Sequence, residues 1–180
     1  MIMSFLSNLF HFHQSEDSAD LTLYAPASGT LLPLSEVPDI VISEKIIGDG
    51  VAIMPESETI YAPCDGVIAR LLSSKSAFSI RTALGLEVYV PFGVGSIELA
   101  GKGFSSEVKI GDTVKKGDPI LQVNSAAIAN KLKSTVISMI VVRSSGDIEK
   151  LTSASGSCVA ANTPCVWVNL KHSDEKETTS

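Results

Sequence analysis

The side chains best suited to chemistry are placed sparsely in this chain. Its three histidines, His11, His13 and His172, all lie in the terminal segments. His11-x-His13 has the spacing of a chelating pair, but no third ligand stands nearby, so both read as solvated. With no histidine in the body of the chain, neither a Ser-His-Asp nor a Cys-His arrangement can be assembled there. No base is left to take the nucleophile's proton. Cys64, Cys158 and Cys165 are an odd number, widely spread, and form no Cys-x-x-Cys pair. Cys158 and Cys165 sit in apolar, strand-like runs and read as buried thiols. No disulfide framework follows, and a reducing cytoplasm is the expected location. Gly48-Asp49-Gly50 and Gly101-x-Gly103 are not followed by helix-forming sequence, so they read as turns rather than phosphate cradles. Glu44-Lys45 reads as a solvated pair. These patterns point to no metal and no organic cofactor.

What remains is a hairpin, Lys75–Ile97, around which the chain is organised. Ser79-Ile80-Arg81-Thr82 is β-prone, Ala83-Leu84-Gly85 supplies a turn, and Leu86–Val90 runs as a half-buried strand. Pro91-Phe92-Gly93 is expected to stop the ladder, because proline has no N–H to donate and glycine opens φ. Such a hairpin brings Ser76 and Pro91 to one patch of surface, and neither side chain titrates. Phe78, Tyr89 and Phe92 would make the patch apolar.

The elements that must position this hairpin are β-strands. The chain has 180 residues, 44% hydrophobic and 19% charged, enough for one domain with a good core. Its net charge of −6 argues against a nucleic-acid groove, which needs clustered Lys and Arg. No stretch reaches the roughly 18 apolar residues of a membrane span. Met1–His13 places Ile2, Phe5, Leu6, Leu9 and Phe10 at helical spacing. It lacks the cations and cleavage site of a signal peptide, and its polar face lacks cations for acidic lipid. Membrane contact by this segment therefore rests on its apolar spacing alone. Short strands separated by Gly and Pro at intervals of about 8–12 residues are the signature of a sandwich or barrel. One helix is expected over Ala126–Leu132 with Ser125 as N-cap, and one further turn over Ile148–Thr152 begun by Asp147. Residues 1–20 read as an amphipathic or flexible segment, 21–170 as a single antiparallel β domain, and 171–180 as a disordered tail.

Two internal echoes run through that domain. Tyr24-Ala25-Pro26-Ala27-Ser28-Gly29-Thr30-Leu31 returns 37 positions later as Tyr61-Ala62-Pro63-Cys64-Asp65-Gly66-Val67-Ile68. Gly111-x-x-Val114-x-x-x-x-Pro119-Ile120-Leu121-x-Val123 returns 45 positions later as Gly156-x-x-Val159-x-x-x-x-Pro164-Cys165-Val166-x-Val168. Two echoes in the same order imply one supersecondary unit used twice, closed into a sandwich rather than stacked as a solenoid.

Val37-Pro38-Asp39-Ile40-Val41-Ile42-Ser43-Glu44-Lys45-Ile46-Ile47-Gly48-Asp49-Gly50-Val51-Ala52-Ile53 resembles the glucose-specific enzyme IIA family of the bacterial phosphoenolpyruvate:sugar phosphotransferase system. So do Ala62-Pro63-x-Asp65-Gly66, Ala77-Phe78-Ser79-Ile80, Phe92-Gly93, Gly111-Asp112-x-Val114-x-x-Gly117-Asp118 and Lys133-Ser134-Thr135. The resemblance covers about residues 20–170. It implies an antiparallel β-sandwich with a duplicated motif. It also implies two histidines facing across an apolar depression, one accepting a phosphoryl group from a carrier protein and passing it to a permease IIB domain. Where that family reads Asn-His-Ala-Phe, this chain reads Lys75-Ser76-Ala77-Phe78. Where it reads Val-His-Phe-Gly-Ile-Asp, this chain reads Val90-Pro91-Phe92-Gly93-Val94-Gly95. Both histidines are replaced, at Ser76 and Pro91, and the aspartate has become Gly95. Loss of phosphoryl transfer is implied, and of the zinc that some members bind there. By the same register Ile40, Val41, Ile42, Ile47, Leu72, Phe78, Tyr89, Phe92, Val94, Gly95 and Ile97 would rim the depression, with Lys75 adding a charge at its edge.

The resemblance supports two functions. One is a regulatory module that binds proteins without carrying phosphoryl groups. Its partners would be the phosphocarrier protein, a permease IIB or IIC domain, or a regulated transporter or enzyme. The other is a working phosphocarrier in sugar uptake with Ser76 as acceptor. A biotinyl- or lipoyl-type carrier domain lacks its lysine hairpin tip here, and a zinc peptidase lacks core histidines.

Overall fold

The two echoes become the frame of the molecule. In the structure, a computed structural model that describes residues 18–173, the first echo supplies β1 (Leu21–Tyr24) and β2 (Gly29–Leu32), then β4 (Thr59–Tyr61) and β5 (Gly66–Leu71). The second supplies β9 (Thr113–Val114) and β10 (Pro119–Val123), then β13 (Gly156–Cys158) and β14 (Pro164–Leu170). Between them run β3 (Gly48–Pro55), β6 (Ala77–Arg81), β7 (Glu87–Val94), β8 (Phe104–Ser105), β11 (Ser134–Val142) and β12 (Ile148–Ser153). Two short helices, α1 (Ile40–Ser43) and α2 (Ser125–Ile128), and 3-10 turns at Leu34–Glu36, Ser96–Leu99 and Arg143–Ser145 complete the fold.

All strand pairs are antiparallel, and their order is two-fold symmetric. One sheet runs β13-β2-β3-β11-β7-β6-β5-β9; two three-stranded sheets run β1-β14-β12 and β4-β10-β8. Exchanging the echoes maps each half onto the other, with β11 and β7 at the centre. The copies grip each other symmetrically: Tyr24 N donates to Pro63 O (2.9 Å) and Tyr61 N to Pro26 O (2.8 Å). Likewise Ala25 N donates to Thr163 O (2.9 Å) and Ala62 N to Asp118 O (2.8 Å).

Alternation along the strands gives the large sheet two apolar faces. Phe78, Ile80, Val88, Val90, Phe92, Ile137, Met139 and Val141 enter the main core together with residues of the three-stranded sheets. Ala52, Val136 and Ile140 point the other way and are covered by Leu34, Val37 and Ile42 from the excursion between β2 and β3. That second face carries the candidate site.

Several expectations change. Pro91 does not end the ladder: β7 runs on to Val94, with Pro91 opposite Ala77. Phe92 N donates to Ser76 O (2.8 Å), so alternation turns the missing N–H of Pro91 toward β11 and removes one rung there. The helix expected over Ala126–Leu132 is the single turn α2, capped by Asn124, whose side chain accepts from Ala127 N at 3.1 Å, not by Ser125. Asn130 lies at φ 60°, and Lys133 N bonds Val94 O (3.1 Å), so pairing with β7 overrides helix propensity. Ile148–Thr152 is strand β12 rather than a turn of helix, because it pairs along β14. Lys171 and His172 hold on to the domain: Lys171 N donates to Asp147 O (2.8 Å), and His172 Nε2 lies 3.4 Å from Asp20 Oδ2. Met1–His13 and the tail from Asp174 lie outside the described residues. Among those described, no helix is long and apolar enough to cross a membrane.

Candidate functional site

The β5–β6 hairpin turns tightly through Leu72–Ser76. Lys75 adopts φ 57° and donates its N–H to Leu72 O (2.9 Å). This turn sets Ser76 beside Pro91. Opposite stands α1, begun where Val37-Pro38-Asp39 precedes an apolar run. Asp39 Oδ1 accepts from Val41 N at 2.9 Å, an N-cap that fixes where the helix starts. Gly95, at φ 86°, turns the chain from β7 into the Ser96–Leu99 turn and aims Ile97 back toward the hairpin.

Together these elements enclose a depression of about 210 Å³. Val41, Ile42, Ile47, Leu72, Tyr89, Val94, Gly95 and Ile97 line it, with Ser76, Ala77 and Pro91 at its floor. Ile40 and Ile97 are 72% and 65% exposed, so this apolar surface faces solvent. Ile40 flanks the cavity on α1 without lining it, and Lys75 stands half-buried at the hairpin tip. Phe78 and Phe92 require a correction: both belong to the sandwich core, 0% and 4% exposed. Strand parity is the reason, since Ala77, Tyr89 and Pro91 face the depression and their neighbours must face away.

The floor holds hydroxyls rather than acids or bases. Ser76 is 1% exposed, and its Oγ lies 2.8 Å from the Oγ of Ser74, a residue the sequence reading overlooked. Either oxygen can donate to the other; neither is hydrogen-bonded to a basic group among the described residues. Tyr89 has its pKa pushed up by burial, further by Asp39, against an opposing effect of Arg70. At neutral pH it is a neutral phenol. The one histidine among the described residues is His172, beside Asp20, which immediately precedes β1, and not in the lining. Among those residues no group of three or more His, Cys, Asp or Glu could hold a metal ion.

A charged network also escaped the sequence reading. Glu87, with its side chain only 8% exposed, has Oε1 3.0 Å from Arg70 Nε and accepts there from Ser79 Oγ (2.7 Å). Its Oε2 faces Arg81 Nη2 at 3.5 Å. The alternation Ser79-x-Arg81, across a short turn from Glu87, was the available signal, because all three share the second face of the sheet.

Residues 21–147 match the family described as phosphoenolpyruvate-dependent sugar phosphotransferase system, EIIA 1. Over 158 residues the chain is 37% identical to the PTS system glucose-specific EIIA component of Haemophilus influenzae, covering 88% of this chain and 94% of that one. It is 38% identical over 124 residues to the PTS system glucose-specific EIICBA component of Staphylococcus carnosus, covering 69% of this chain and 18% of that longer protein. The fold matches the glucose permease IIA from Mycoplasma capricolum with a TM-score of 0.75 and 31% identity, over 81% of this chain and 94% of that one.

Proposed function

The chain belongs to the phosphoenolpyruvate-dependent sugar phosphotransferase system EIIA 1 family, and from that premise we propose that it docks proteins of a glucose-type system without carrying phosphoryl groups. One observation carries the reading: the floor of the depression offers Ser76 and Pro91, and no imidazole. A neutral ring nitrogen is nucleophilic near pH 7 and gives a labile N–P bond. A serine hydroxyl without a base is a poor acceptor, and its phosphoester is not readily handed on. Pro91 can neither take a proton nor donate one from its side chain. Support for docking comes from the exposed apolar rim, since a solvent-facing apolar patch of this kind marks a partner site. The phosphocarrier protein and the permease IIB domain are the first partners to test. The relative from Staphylococcus carnosus, whose name joins IIC, IIB and IIA in one protein, fits such a pairing.

A second reading, a phosphocarrier with Ser76 as acceptor, draws on the 2.8 Å contact between the Ser74 and Ser76 hydroxyls, which orients Ser76 Oγ. Incubating the full chain with phosphoenolpyruvate and the two general carrier proteins, then reading intact mass, separates the two. Docking alone predicts no added phosphoryl group while the phosphocarrier protein or IIB domain still binds. One added group that disappears in Ser76→Ala would establish the second reading instead.

A further inference from the structure

Beside the depression lies a second cavity of about 240 Å³, sharing Ile47, Leu72, Ala77 and Tyr89 with it. Beyond those it adds Phe78 and Val142 and, unlike the depression, a charged pair: Arg70 and Glu87 form part of its wall. Glu87 is spent inside the molecule, with Arg70, Ser79 and Arg81 around its two oxygens. Arg70 is spent only in part. Its Nε is held 3.0 Å from Glu87, while the side chain stays 73% exposed and both terminal nitrogens lack a protein acceptor among the described residues. A guanidinium anchored at Nε presents its remaining N–H groups as a fixed planar fork, which suits a carboxylate. Asp39, the carboxylate of the facing element that lines the depression, is engaged in capping α1. Lys75, on the same hairpin as Arg70, forms no ion pair among the described residues, so the β5–β6 edge carries unmatched positive charge.

We infer that Arg70 is a recognition residue for an acidic side chain of the docking partner, whose neighbouring apolar side chain fills the depression. The inference rests on the docking reading above and adds the partner's chemistry to it. The occupant is a protein segment rather than a free anion. A single exposed guanidinium holds a small carboxylate weakly in water, whereas here the fork opens directly beside an apolar cavity. Glu87 acts as a positioning residue, keeping the fork turned toward that cavity.

The test uses the full chain as target and a random dodecapeptide library displayed on phage as probe. Enriched peptides are synthesised and titrated against the wild type and three variants. The expected peptides pair an acidic residue with an apolar one and weaken in Ile97→Ser, which marks binding at the depression. They lose about tenfold in affinity in Arg70→Glu, the loss of one charge-assisted hydrogen-bonded pair. In Glu87→Gln they lose a smaller factor, and hydrogen exchange at Arg70 Nε accelerates as its anchor weakens. Peptides that weaken in Ile97→Ser but carry no acid, or ignore Arg70→Glu, overturn the fork and leave docking standing. Peptides indifferent to Ile97→Ser, or none enriched, overturn docking and the fork together.

Discussion

The two copies of the repeated motif are alike where they hold the sheet and unlike where they meet the depression. After β5 the chain returns within the tight turn Leu72–Ser76; after β2 it wanders through residues 33–47 before β3 begins. That longer excursion carries Asp39 and α1 across the second face of the sheet and sets them opposite the hairpin of the other copy. The depression exists because one half is elaborated and the other is not. Symmetry supplies the platform, and the break in symmetry supplies the site. Neither copy brings a histidine to it, and Ser76 and Pro91, which the family resemblance would pair with two histidines, both lie on the hairpin side.

The largest effect should follow from restoring chemistry to the unelaborated side. A Ser76→His/Pro91→His double variant places two imidazoles at the floor of the depression, and Pro91→His also returns an N–H toward β11. It should pass from no labelling to one phosphoryl group per chain in the phosphoenolpyruvate relay, read by intact mass. Should it bind the phosphocarrier protein yet stay unlabelled, the absence of imidazoles from the floor would not be what stops transfer.

Next in size is a test of the likeness itself. Gly29 and Gly66 occupy the same place in the two copies. A Cβ on Gly29 would overlap the carbonyl oxygen of Met54, and one on Gly66 that of Arg81. Each carbonyl belongs to the residue paired with the glycine's successor. Gly29→Ala and Gly66→Ala should therefore each destabilise by about 3 kcal/mol, since backbone rather than a pliable side chain must move. Chemical denaturation of both variants checks this, and a difference beyond about 1 kcal/mol would mean the copies do not share the load equally.

How far the sequence could be read follows the same division. The echoes were visible because both copies need the same residues at the same turns, and the antiparallel sandwich followed from them. The hairpin at Lys75–Ile97 was visible from its alternation and turn. What stayed hidden depends on pairing at long range. Pro91 looks like a strand breaker until Phe92 N is known to bond Ser76 O. Phe78 and Phe92 look like rim residues until parity places them with Ile137 in the core. Ile148–Thr152 looks like a turn of helix until β14 lies alongside. α1 is a single turn whose start is set by one cap, too short for any periodic signal. Glu87 and Arg70 sit 17 positions apart and meet only across paired strands.

The smallest effect concerns a position where the copies differ by one atom's chemistry. Cys64 stands where the other copy has Ala27, and both are buried. Burial pushes the Cys64 thiol up to about 12, with Asp65 adding to the shift, from about 8.5 in an unfolded chain. A raised pKa means the unfolded chain gives up its proton first. The thiol's contribution to stability is therefore complete below about pH 8.5 and is lost as pH rises toward 12. Cys64→Ala should cost about 1 kcal/mol at pH 7, for a sulfur's worth of packing exchanged for the methyl already accepted at Ala27. Between pH 9 and 11 its stability should then fall less steeply than the wild type's, so the two stability curves meet at about pH 9 and cross above it. Parallel curves would mean that Cys64 stays protonated in the unfolded chain over that range, or ionises as readily in the folded one.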